Sequence, residues 1–148
     1  MSPWWTVPML ISGGLFVGGV LWIAWERVPA WRAADLVAFR TAFAHTLRRV
    51  DRLQPALLAA YLVATVGVAV STSGAARTLA ALAAGGALIV LVGSAAWLVP
   101  IQRRLVAPGP QPAAADIERL RAQWLRGHLA RTAVALAFLL LAVAAVVV

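Results

Sequence analysis

The stretch from Thr78 to Gln102, TLAALAAGGALIVLVGSAAWLVPIQ, carries no charged side chain along its whole length. A helix needs about 20 mostly apolar residues to cross the hydrocarbon core of a bilayer, so this run reads as a membrane span. Working outward, three further uncharged runs have the same character: Met1 to Trp25, Leu53 to Ala76 and Thr132 to Val148. A fifth, Leu105 to Ala115, is rich in proline and reads as a loop. The expectation is an all-α integral membrane protein, a four-helix up-down bundle in a single domain over residues 1–148. Its spans fall at about 7–26, 55–71, 78–99 and 129–148.

Composition excludes the alternatives. The chain is 63% hydrophobic and 12% charged, with a mean hydropathy of +0.88. Soluble domains run about 45–50% apolar and about 25% charged. The net charge of +8 comes from 13 arginines, with no lysine, against 5 acids. Arginines 27, 32, 40, 48, 49 and 52 fall between the first two spans, and 103, 104, 119, 121, 126 and 131 between the last two or at the start of the fourth. Only Arg77 lies between the second and third. By the positive-inside rule the two arginine-rich segments are cytoplasmic and both termini face outward. The charge therefore marks topology, and no nucleic acid is expected as a partner. The lipid bilayer is.

Without cysteine there are no disulfides, thiolate metal sites or cysteine nucleophiles. The first run has no basic residue before Arg27 and no small-residue cleavage site, so it reads as a retained helix. Arginine-only, alanine-rich usage is associated with GC-rich bacterial genomes, which points to a bacterial cell membrane.

Along the chain, Pro8 suits the first turn of helix one. Gly13, Gly14, Gly18 and Gly19 offer small faces for close helix approach, and a homo-oligomer is one use of them. Trp4, Trp5, Trp22 and Trp25 sit near the ends of that helix, as interfacial anchors do. Val28-Pro29-Ala30 reads as a break. Beyond it Leu36, Phe39, Phe43, Leu47 and Val50 recur every three or four residues, an amphipathic cytoplasmic helix before helix two. Pro55 marks a bend or a fresh start, Ser71-Thr72-Ser73-Gly74 an outside turn, and Pro100 an interruption after helix three. A long fourth helix starts near Asp116 as N-cap and runs to Val148.

No P-loop, HExxH, GxSxG or strand-borne GxGxxG is present. Two histidines and five acids supply a metal site thinly, and neither metal nor cofactor is expected. The best candidate lies on helix four, where Arg121, Trp124, His128 and Arg131 share one face. Ala135, Phe138 and Ala142 continue it. Arg131 has 17 residues beyond it, about 25 Å of helix against about 30 Å of hydrocarbon, so it is drawn to the inner boundary. An ionisable side chain at that depth is a candidate functional group. His128, one turn away, is a candidate general base. Glu26 closes helix one at the same boundary, in reach of Arg131 or Arg103, or paired locally with Arg27. His45 with Arg49 and Asp51 reads as a solvated face. Tyr61 serves either as an interfacial anchor or as a hydroxyl inside the bundle.

Three stretches carry a resemblance: Gly13-Gly-Leu-Phe-Val-Gly-Gly-Val20, Trp97-Leu-Val-Pro-Ile-Gln-Arg-Arg-Leu105 and Trp124-Leu-Arg-Gly-His-Leu-Ala-Arg131. Together they resemble the anthrone oxygenase-like family of small four-helix membrane proteins. The resemblance implies roles for Pro100, Gln102, Trp124, His128 and Arg131, although the family often has Asn where this chain has Gln102. It also implies oxidation of a hydrophobic aromatic molecule by O2 without a bound redox cofactor. A base, His128, would take a proton from carbon, and a cation, Arg131 or Arg103, would stabilise the carbanion. Glu26 joins His128 and Arg131 as a catalytic candidate, with Trp124, Gln102, Arg103 and Pro100 binding substrate. The alternative is a non-catalytic membrane subunit that binds a partner through its glycine faces and arginine-rich loops. A transporter or channel fits least, because so few polar groups lie inside the spans.

Overall fold

A computed structural model describes residues 3–50, 53–107 and 112–148. Among them there is no strand. The helices are α1 (Pro3–Trp22), α2 (Val28–Ala33), α3 (Leu36–Val50), α4 (Leu53–Ser71), α5 (Gly74–Gly93), α6 (Val99–Val106) and α7 (Ala114–Val147). Single π-helical turns, Ile23–Arg27 and Ser94–Leu98, join α1 to α2 and α5 to α6. Four continuous helices are thus long and apolar enough to cross a membrane: Trp4–Ala33, Leu53–Ser71, Gly74–Val106 and Ala114–Val147. This marks a multi-pass membrane protein. Asp51 and Arg52, and residues 108–111 of the proline-rich loop, lie outside the described residues.

The two expected proline breaks are not breaks. Pro29 and Pro100 each stand six residues after the first residue of a π-turn, inside a helix that continues. Proline lacks an N–H, and its ring collides with the carbonyl one turn below. In both places the helix widens just upstream: the N–H of Val28 reaches Ile23 O and that of Val99 reaches Ser94 O, five residues back. Helix one also begins earlier than expected, so Pro8 lies in its second turn, and Pro55 falls in the first turn of α4. Asp116 is not the N-cap. Ala113 holds that position, and Asp116 sits in the first turn of α7, 2.8 Å from Arg119, where its charge still suits the positive helix end. At the turn between α4 and α5, Gly74 takes φ +59°, which only glycine adopts freely.

Two hydrophobic cores result. In the first, α1 packs on α4 and α7, and α5 packs on α4 and α7. Small side chains line it, among them Ala64, Ala83, Ala87, Ala135 and Ala142, around Phe16, Tyr61 and Phe138. Tyr61 stacks on Phe138 at 4.6 Å and its hydroxyl donates to the Phe138 carbonyl at 3.0 Å. Gly13 makes room for the Tyr61 ring, which a Cβ there would strike.

The second core lies at the arginine-rich end. Phe39, Phe43 and Leu47 on α3 meet Trp31, Leu98, Ile101 and Trp124. Rings of Trp31, Phe43 and Trp124 meet edge to face at 4.8–5.7 Å. Arginines close the helix ends here. Arg121 donates to the carbonyls of Trp31 and Ala34 at the end of α2, and Arg40 to Leu105 O at the end of α6. Carbonyls left over at a helix C-terminus favour such cationic donors.

Candidate functional site

Between the two cores lies a cavity of about 160 Å³. Phe16 and Leu58 border it from the bundle, and Trp31, Leu47 and Trp124 from the second core. Both π-turns reach it through their first residues, Ile23 and Ser94. Such turns widen the helix locally and recur at functional sites.

Polar side chains reach the lining from five segments. Arg131 arrives from α7, Gln54 from the first turn of α4, Ser94 from the π-turn, Gln102 from α6 and Thr46 from α3. Gly19 on α1 leaves the space that the Gln54 amide fills. Buried polar atoms ordinarily find partners. Here Trp31 Nε1, Gln54 Oε1, Ser94 Oγ, Trp124 Nε1 and Arg131 Nε have none among the described residues, and all five belong to residues lining this one cavity.

Behind that lining, His128 is fully buried. Its Nε2 lies 3.1 Å from Val20 O, and its Nδ1 lies 2.9 Å from an Arg131 NH2 nitrogen. A carbonyl only accepts and a guanidinium only donates. So Nε2 bears the hydrogen, Nδ1 accepts from Arg131, and the imidazole is neutral. Trp124 stacks on it at 5.0 Å and 8°, and Thr132 Oγ1 donates to the His128 carbonyl at 2.8 Å. The ring itself is held by three contacts, from Val20, Arg131 and Trp124.

The expected site residues therefore divide. Trp124, Gln102 and Arg131 line the cavity, with His128 hydrogen-bonded to Arg131. Glu26 is instead paired with Arg27 at 2.8 Å on an exposed side, and Pro100 and Arg103 are exposed and do not border the cavity. Arg121, on the same face of α7, closes the end of α2. Trp31, Gln54 and Ser94 were not among the expected site residues. A glutamine at the mouth of a span and a serine in an apolar run were their only sequence signals.

No group of three or more potential metal ligands occurs among the described residues. Fold and site together define a four-span membrane protein with a partly open, mainly apolar cavity, edged by a few polar side chains, near its arginine-rich end. Comparisons with family models, with curated proteins and with solved structures find no match for this chain.

Proposed function

We propose that the protein is a membrane-embedded enzyme that takes a flat, mainly apolar aromatic molecule into the junction cavity and oxidises it with O2, without a resident redox cofactor. The observation that carries small-molecule binding is the gathering of five unpaired polar atoms on residues around one cavity. The oxidation rests on the resemblance to anthrone oxygenases. The arginine-rich end is placed at the cytoplasmic face of a bacterial membrane, with helices alternating in direction and both termini outside.

In this scheme a ring CH2 becomes C=O at the expense of one O2, with one water released. Arg131 turns from His128 Nδ1 to the substrate oxygen on which the carbanion's charge collects. That frees Nδ1 to accept the proton from carbon. The carbanion adds O2, the resulting peroxide anion takes the proton back from His128, and loss of water leaves the carbonyl. Trp124 holds the imidazole by stacking and borders the cavity. Glu26, Arg103 and Pro100 take no step in it.

The test is oxygen uptake by the detergent-solubilised protein with a simple anthrone, against buffer and against His128→Ala. Uptake above buffer that the variant loses supports the reading. Equal rates in all three remove anthrone oxidation.

One observation favours the partner-binding alternative. Nothing stands within 4 Å of where a Cβ would sit at Gly14, Gly18, Gly85 or Gly93. These outward notches suit a second transmembrane helix, including that of another copy. The mass of the particle in lipid nanodiscs distinguishes monomer from oligomer.

A further inference from the structure

We infer that the cavity's occupant is an aromatic oxyanion, with one of its rings held inside the cavity. This deepens the small-molecule reading above and rests on it.

Charge comes first. Arg131 is a cation inside an apolar helix, and its guanidinium is hydrogen-bonded to a neutral imidazole. The described acids are engaged elsewhere. Glu26 pairs with Arg27, Asp116 with Arg119 and Glu118 with Arg121, while Asp35 accepts the N–H of Ala38. A cation at such depth is costly unless an anion meets it, and a ligand oxyanion in the cavity does so.

The hydrogen-bond inventory agrees. Trp31 Nε1, Trp124 Nε1 and Arg131 Nε only donate, Ser94 Oγ does both, and Gln54 Oε1 only accepts. An excess of unpaired donors on the residues around the cavity favours an electron-rich occupant, and a carboxylate or phenolate is one.

Size sets how much of the occupant lies inside. The cavity of about 160 Å³ matches the roughly 150 Å³ engineered cavity that admits benzene in an unrelated protein. One substituted ring fits between Phe16, Trp31 and Trp124. The cavity is open on one side, so a larger fused system would extend past its mouth.

The experiment is equilibrium dialysis of 4-hydroxybenzoate and of its neutral near-isostere 4-hydroxybenzamide. Each is titrated against the full chain in zwitterionic-lipid nanodiscs, with empty discs subtracted. The acid is expected to bind at least about tenfold tighter, the scale of one charge-assisted hydrogen bond. Arg131→Gln is expected to bring the two ligands to parity, and the wild-type comparison stands alone if that variant misfolds. If the amide binds as well as the acid or better, the anion assignment falls while the cavity remains a small-molecule site. If neither ligand binds, both readings fall. Displacement of 4-hydroxybenzoate by equimolar inorganic phosphate would mark a headgroup-type anion site and overturn the aromatic assignment. An anion preference that emerges only in Asp51→Asn would identify Asp51 as the standing counter-charge, and would overturn it too.

Discussion

The two cores of this molecule are built on different physics. The bundle core is made of alanines, glycine notches and a few stacked rings, whereas the core at the arginine-rich end is a cluster of tryptophan and phenylalanine edges. Lipid is as apolar as a side chain, so helices inside it gain from close contact rather than from leaving water. At the arginine-rich end, water makes burial of large rings worthwhile. The cavity falls where one kind of packing gives way to the other, and there polar atoms stand unpaired. The contrast separates scaffold from site.

The largest expected effect breaks the second core. Phe43→Ala removes a fully buried ring that touches both Trp31 and Trp124, and should cost about 3–5 kcal/mol in reversible unfolding. Phe138→Ala, the matching truncation in the bundle, should cost less, because its unfolded reference stays in lipid. Equal costs would mean that the two cores obey one rule. Next, Gly13→Ala drives a methyl into the Tyr61 ring and should cost about 1–3 kcal/mol by the same unfolding measurement. Arg121→Gln removes the donors that close α2, and should cost about 1–2 kcal/mol while increasing amide exchange near Ala34. Smallest is Tyr61→Phe at about 0.6 kcal/mol, the usual scale of a hydrogen bond between membrane helices. A much larger loss would show that the hydroxyl holds more than one helix contact.

Much of this architecture is legible in the sequence, because charge-free runs and three-four periodicity report burial directly. The stripe of Phe39, Phe43 and Leu47 is buried, as are Trp124, His128, Ala135, Phe138 and Ala142 on α7. The proline breaks at Pro29 and Pro100 misled for a physical reason. A π-turn absorbs the proline and inserts one residue into the helical register, rotating the downstream side chains by about 100° from the uninterrupted reading. Pro100, Gln102 and Arg103 all come after such a turn, and of the three only Gln102 borders the cavity. Gln54, Ser94 and Trp31 come together from three separate segments, and no local pattern in the chain encodes that meeting. Nor did the arginine count reveal that Arg40 and Arg121 close helix ends.

If the unpaired polar atoms are kept for a ligand, filling their cavity must separate stability from binding. Ser94→Leu, which removes one unpaired hydroxyl and occupies the space, is the direct case. The decisive measurement is 4-hydroxybenzoate binding by this variant in nanodiscs, with its unfolding midpoint as the control. A ligand site predicts a midpoint equal to or above that of the wild type and binding lost. Wild-type affinity in a folded Ser94→Leu protein would contradict it and make the cavity a packing defect.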